Sequence, residues 1–309
     1  MFRPCRFSIR RGINLEDVHG YETFTKTELI NRGTNDKKYY IETLNGQRLL
    51  LRIADVSKYK SKENQFNMLN LLSELNIHMS RPIALGMCGD DKNVYQLLTW
   101  VDGVDLESML PTMSETEQYN YGLKAGMVLG QIHSVPAPEN TKNWELYFYR
   151  TLQKELDEYY SKTEIHCELG EIIVKFIEGN RSVINFRPQV YLHGDYNPGN
   201  LIIMPSGEVG VIDFSSRYGD FIWDIFKVHW RPHLYPHFFS GQINGCVNEP
   251  DLAFWEIYTF YFAYGALIAL TSPQWVGLNN FEEGKLAAQN ILNWSNNFNN
   301  SIPSWYLSK

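Results

Sequence analysis

Residues 191–214 read YLHGDYNPGNLIIMPSGEVGVIDF, and the order of polar groups within them decides how the rest of the chain is read. His193 is followed two positions on by Asp195, Asn200 comes five positions after that, and Asp213 stands near the end. Between Asn200 and Asp213 lie two short apolar runs, LIIM and VGVID, separated by Pro205-Ser206-Gly207-Glu208, which reads as strand, turn and strand. A loop thus presents one carboxylate and one amide together, and a hairpin carries a second carboxylate back toward them.

That set suits one kind of chemistry. Phosphoryl transfer asks little covalent work of a protein; it needs a carboxylate to receive or orient the nucleophile's hydroxyl, and oxygen ligands for the cation that offsets phosphate charge. Asp195 is the candidate base, and Asn200 and Asp213 are the candidate metal ligands. Magnesium prefers hard oxygen donors and retains several waters, so one amide oxygen, one carboxylate and a triphosphate make a sufficient shell.

The protein-kinase pattern runs HRD, four residues, Asn and, further on, DFG. Here HGD, YNPG, Asn200 and IDF follow in the same order, with Ser215 in place of the glycine of DFG and no lysine two positions after Asp195. In this form the segment resembles the aminoglycoside phosphotransferase and choline kinase-like family, whose members carry HGD, a glycine-containing loop, Asn and IDF. Gly219, Asp220 and Asp224 match the family's GDxxxD, with Asp220 read as chiefly structural, and His193 is read as ordering the loop through hydrogen bonds. The resemblance spans residues 27–224. It implies an α+β, two-lobed protein kinase-like fold: a small β-rich N-lobe over residues 1–100 that binds nucleotide, and a larger helical C-lobe over 101–309 that carries catalysis and the acceptor. It further implies ATP or GTP with Mg2+, and transfer of the γ-phosphate to a hydroxyl of an aminoglycoside or another hydroxylated antibiotic, with choline-like and amino-acid-like alcohols as alternative acceptors.

The first hundred residues agree with a β-rich lobe. YYIETL and RLLLRIA flank Asn45-Gly46, a strong hairpin signal. Phe66, Met68, Leu69, Leu72 and Leu75 recur at helical spacing up to about residue 76, and VYQLLTW reads as a further strand. A polar segment at 101–105 places a hinge near 99–104. In the resembled family a lysine on the third strand grips the α and β phosphates and a glutamate from the next helix holds it. Arg52 stands at the strand position here. Gln65 is preferred to Glu63 as its helix partner because it shares the face of Met68, Leu69 and Leu72. The resemblance assigns the carbonyl of Thr99 and the amide of Val101 to the edge of the base. Residues 31–36, NRGTND, with Gly33, are a candidate cover for the phosphates.

Beyond the hinge the patterns turn helical, over 115–133, 144–160, 168–178, 252–270 and 281–297. The fourteen-residue run IYTFYFAYGALIAL falls short of a membrane span and reads as a buried helix. Tyr258, Tyr261, Tyr264 and Trp255 at helical spacing read as core. Acidic side chains such as Asp224, Glu249, Asp251 and Glu256 read as solvated surface, with an amino-sugar contact as the alternative. His229, His233 and His237 recur every four residues, but Pro232 and Pro236 oppose one helix through them, so no zinc site is read.

With 309 residues, 44% hydrophobic and 20% charged, the chain has the composition of an ordinary soluble protein. A net charge of −7 with scattered lysines and arginines argues against nucleic acid and suits a cationic small acceptor. Four widely spaced cysteines build neither a disulfide framework nor a metal cluster, and the N-terminal residues lack the apolar stretch of a secretory signal, so a cytoplasmic protein is expected. The rival expectation is a catalytically silent binding or coat-type protein on the same fold; Arg52 and Gln65 favour it, while Asp195, Asn200 and Asp213 oppose it.

Overall fold

The computed structural model describes residues 14–31, 36–226 and 232–308. The chain divides into two compact units, Met1–Val101 and Asp102–Lys309.

The first unit is built on an antiparallel sheet of five strands: β1 (Phe24–Ile30), β2 (Lys37–Thr43), β3 (Arg48–Asp55), β5 (Pro82–Cys88) and β6 (Asn93–Thr99), in the order β1-β2-β3-β6-β5. Asn45-Gly46 makes the β2–β3 turn, closed by Gly46 N–H on the Thr43 carbonyl, and Gly46 takes a φ of +78° that glycine adopts without strain. Alternation along β3 separates two faces. Leu49, Leu51 and Ile53 enter a core with Ile41, Tyr95 and Leu97, whereas Arg52 lies on the other face. Helix α1 (Tyr59–Leu72) packs on β5 and β6, and a short strand, β4 (His78–Met79), follows it. The helix starts earlier and stops sooner than the apolar spacing predicts: Leu75 lies in the turn after α1, and its N–H closes on the Leu72 carbonyl.

The second unit is mostly helical. Strand β7 (Val104–Asp105) and the single turn α2 (Leu106–Met109) lead into α3 (Glu115–His133), α4 (Trp144–Ser161) and α5 (Glu168–Asn180). Ser114 and Glu117 form a reciprocal capping box that fixes the start of α3. Then come β8 (Val190–Leu192), β9 (Leu201–Ile203), β10 (Val209–Val211), β11 (Arg217–Gly219) and the turn α6 (Ile222–Ile225), before α7 (Pro236–Val247), α8 (Leu252–Thr271) and α9 (Phe281–Trp294). Helix α8 has the length and apolarity to cross a membrane, longer than the run read from sequence, but 78% of its apolar window is buried inside the chain. Phe254, Trp255, Tyr258, Tyr261 and Tyr264 are all buried along it, and α4, α5 and α9 pack around it.

Helix α7 has no counterpart in the sequence reading. It begins with Pro236 at the position where a missing N–H costs nothing. It lies against α3 at very short range: a Cβ at Gly126 would come within 2.1 Å of the Gln242 carbonyl, so only glycine fits. His233 sits in a 3-10 turn (Pro232–Leu234) and His237 in the first turn of α7, so they do not share a helix face; His229 lies outside the described residues. Among the described residues no group of three His, Cys, Asp or Glu side chains is arranged to hold a metal.

Candidate active site

Two strand pairs carry the loop. β9 and β10 form the expected hairpin, with Leu201 opposite Val211, and the Ile212 N–H continues the ladder to the Asn200 carbonyl at 3.0 Å. Asn200 is therefore backbone-bonded to the immediate neighbour of Asp213. The second pair, β8 with β11, sets Leu192 opposite Arg217, which pins the residue before His193 to the stretch that follows Asp213. Three-residue strands whose partners, such as Leu192 and Arg217, lie 25 or more positions apart leave no local signature, and this pair is absent from the sequence reading.

His193 links both ends. It is fully buried, and its Nε2 lies 3.0 Å from the Ile212 carbonyl, which only a protonated Nε2 can satisfy. Its Nδ1 is then free of hydrogen and accepts the Asp195 N–H at 3.1 Å. The His193 carbonyl in turn accepts from Ser215 N–H at 2.9 Å. The imidazole thus fixes the backbone of Asp195 relative to the Asp213 segment, and no ring nitrogen is left for proton transfer.

Asp195, Asn200 and Asp213 are each half-buried, while the groups that hold them are buried. The Asn200 amide nitrogen donates to the Asp195 carbonyl at 2.9 Å and its carboxylate Oδ2 at 3.1 Å, and the Asn197 amide donates to the same carbonyl at 2.9 Å. With its nitrogen committed there, the Asn200 side chain turns its oxygen the other way. Asp213 takes a φ of +60°, a left-handed conformation unusual for a residue with a side chain and frequent where function holds backbone in place.

Asp224 corrects the sequence reading of a solvated acidic residue. It is 1% exposed; one oxygen accepts from Gly194 N–H at 2.8 Å, the other from His193 N–H at 2.7 Å and lies 3.1 Å from His133 Nε2. It anchors the loop from below. Asp220 is structural, as read: it accepts Arg187 Nε at 3.0 Å and the Tyr261 hydroxyl at 3.2 Å and is fully buried. Asp251 caps α8 by accepting from Phe254 N–H.

The first unit holds the remaining candidates. Arg52 is neither at a strand end nor exposed; its Nε and Nη2 reach Asp36 Oδ2 at 2.9 and 2.8 Å. The same oxygen receives Lys62 Nζ from α1 at 2.6 Å. Burial works to raise the Asp36 carboxyl, but the two cations outweigh it and hold its pKa below the ordinary value. Glu63 pairs with Lys60, and Gln65 is half-buried one turn beyond Lys62. Lys62 has no role in the sequence reading, although the helical spacing that selects Gln65 places it on the same face, and Asp36 enters there only as the last residue of the stretch 31–36. Thr99 N–H bonds the Arg81 carbonyl at 2.9 Å and Trp100 N–H the Arg48 carbonyl at 3.0 Å, so successive amides at the end of β6 turn to opposite sides. Gly33 lies outside the described residues.

A sequence profile of the phosphotransferase enzyme family (APH) matches residues 26–255. No curated protein sequence matches the chain. Among solved structures, the fold is similar to a candidate aminoglycoside phosphotransferase of Ralstonia eutropha JMP134, with a TM-score of 0.64 at 17% identity over 85% of this chain and 90% of that one. It is similar also to APH(2")-IIIa in complex with GDP and kanamycin, with a TM-score of 0.61 at 14% identity over 87% and 93%. A third is the ternary complex of APH(2")-IIa with streptomycin and ATP, with a TM-score of 0.57 at 14% identity over 79% and 86%. The likeness gives the kinase-like fold that the family resemblance implies.

Proposed function

We propose, from the premise that this chain belongs to the phosphotransferase enzyme family, that it transfers the γ-phosphate of ATP or GTP to a hydroxyl of a small molecule. The acceptor class we favour is an aminoglycoside or a similarly hydroxylated antibiotic or metabolite; a cationic one suits a chain of net charge −7. The observation that carries the reading is Asn200, whose amide orients the Asp195 carboxylate while its backbone bonds the neighbour of Asp213.

In this reading Asp195 accepts the proton of the acceptor hydroxyl as the oxygen attacks phosphorus. Asn200 holds the carboxylate and His193 the Asp195 backbone N–H, and Asp224 keeps the two preceding amides from shifting. The Asn200 oxygen and the Asp213 carboxylate are hard donors that fit Mg2+, with no His or Cys in the set. Magnesium bound there supplies charge neutralisation for the phosphates. Arg52 steadies the phosphates, Gln65 lines the same helix face, and Thr99 and Val101 meet the base edge.

Nucleotide consumption screened across aminoglycosides, other antibiotics and metabolite alcohols tests the proposal, with Asp195→Ala run alongside. One acceptor should stimulate consumption in the wild type and not in the variant. Equal consumption by both proteins removes Asp195 from its role, and absence of any magnesium-dependent nucleotide stabilisation in a thermal melt favours the silent protein.

A further inference from the structure

We infer that Glu107 and Asn197 form a subsite for a protonated amino group of the acceptor, on the loop that carries the catalytic base. The inference rests on the phosphotransferase reading and adds to it a specificity-determining pair that neither the sequence motifs nor the resemblance assigns.

Local structure brings the two residues together. Gly103, with a φ of +144°, lets β7 lie close on β9, where an added Cβ would come within 2.1 Å of the Ile203 carbonyl. Val104 and Asp105 pair with Ile203 and Ile202, so α2, which follows directly, packs on the 3-10 turn Pro198–Asn200. Glu107 thereby sets its carboxylate beside Gly199. Its Oε2 lies 2.8 Å from the point where a Cβ of residue 199 would stand, and Asn197 Oδ1 lies 3.1 Å from the same point. Glycine at 199 keeps open the space on which both oxygens border.

An exposed glutamate by itself reads as solvated surface, and Asn197 is what sets this one apart. Asn197 is only 5% exposed, and its amide nitrogen is committed to the Asp195 carbonyl at 2.9 Å, which turns its oxygen away from that bond. Among the described residues no donor reaches Asn197 Oδ1, and no lysine, arginine or histidine pairs with Glu107. Two acceptor oxygens, one of them charged, thus converge with no hydrogen between them. Such a pair calls for a ligand that only donates, and an ammonium does so with three N–H groups and a matching positive charge.

The subsite lies where an acceptor needs it. Gly199 immediately precedes Asn200, whose amide nitrogen stands 3.1 Å from the Asp195 carboxylate. An amino group held over Gly199 therefore anchors the acceptor on the same loop that receives its hydroxyl proton, and so restricts which hydroxyl faces Asp195.

Matched pairs of acceptors test the assignment in the full-length protein at saturating magnesium and nucleotide: aminoglycosides beside their deaminated counterparts, and glucosamine beside glucose. The amino-bearing member of a pair should have the lower KM. Glu107→Gln should raise that KM about tenfold or more, while the KM values of the amine-free member and of the nucleotide stay within about twofold. Gly199→Ala puts a methyl group into the same space with the Glu107 charge still present, and should weaken the amino-bearing member selectively as well. Circular dichroism checks that each variant is folded, and Glu107→Gln, at an exposed position and of equal size, carries the test if Gly199→Ala is not. An equal change for both members, no change, a shift in nucleotide KM or magnesium requirement instead, or a preferred acceptor without an amino group overturns the subsite and leaves the phosphotransferase reading standing. A wild type that consumes no nucleotide with any acceptor overturns that reading and the subsite with it.

Discussion

Asn200 reaches back five residues to set its amide nitrogen 3.1 Å from the Asp195 carboxylate and 2.9 Å from the Asp195 carbonyl. The contact holds a half-buried carboxylate in one orientation without neutralising it, because an amide donor offers a hydrogen bond and no proton. A group meant to receive a proton from a hydroxyl benefits from that kind of restraint.

Substituting Asp195 by Ala should therefore lower kcat by about 10²- to 10⁴-fold. Nucleotide affinity should stay within about threefold of wild type, because a base contributes to the transition state and not to nucleotide binding. Steady-state kinetics beside calorimetric titration checks both. A parallel loss of affinity would show that Asp195 helps hold the nucleotide or its metal instead.

Asn200→Ala should act differently. It removes a proposed metal ligand as well as the restraint on Asp195, so the magnesium concentration for half-maximal rate should rise and kcat should fall together. A magnesium titration of initial rate measures this, and an unchanged magnesium requirement would leave Asn200 only its positioning role.

The reasons that the loop was readable and other parts were not are physical. Residues 191–214 carry their geometry locally: a turn at Pro205 to Glu208, a short apolar run on each side of it and polar groups at short spacing. Helix α3 is equally local, opening on Ser114 and Glu117. Asp224 was unreadable because nothing in the local chain tells a buried carboxylate from a wet one; its partners His193 and His133 lie 31 and 91 residues away. Asp36 and Lys62 are 26 residues apart, and their meeting depends on how α1 crosses the sheet. Helix α7 hides because Gly241 and Gly245, which weaken a helix in isolation, are required by its close approach to α3.

Asp224→Ala should be severe. It strands the buried N–H groups of His193 and Gly194, each costing about 1–3 kcal/mol when left without an acceptor. The expected loss is several kcal/mol of unfolding free energy by urea denaturation, and Asp224→Asn should recover part of it by keeping one acceptor oxygen. Stability within about 0.5 kcal/mol of wild type would mean that water replaces the carboxylate.

Gly126→Leu tests the α3–α7 packing. Even a Cβ there would meet the Gln242 carbonyl at 2.1 Å, so the helices must separate. Overpacking of this kind costs about 1–3 kcal/mol or more, and a melt of the variant should fall well below that of Gly130→Leu, where the nearest atom to an added Cβ is 3.4 Å away. Equal melting temperatures for the two variants would contradict the close helix contact.

Cys246 gives the chain a predictable alkaline weakness. Its sulfur lies 3.7 Å from His133 Nδ1, and burial, helped by the nearby Asp224 charge, pushes its pKa from 9.0 up to about 12. The folded thiol therefore keeps its proton between those values while the unfolded thiol loses it. In that window the unfolded chain binds fewer protons, so stability is complete below pH 9 and declines as pH rises toward 12. By pH 10 one such thiol lowers the unfolding free energy by about 1 kcal/mol. Buried Tyr196, Tyr258 and Tyr261, all raised well above 10.0 by burial, add a steeper decline starting about one pH unit later. Urea denaturation at pH 8, 9 and 10 should show the wild type losing about 1 kcal/mol more over that range than Cys246→Ala. Comparing slopes removes whatever constant cost the substitution imposes. Parallel slopes would mean that the thiol ionises as readily in the folded chain as in the unfolded one, which burial against His133 does not permit.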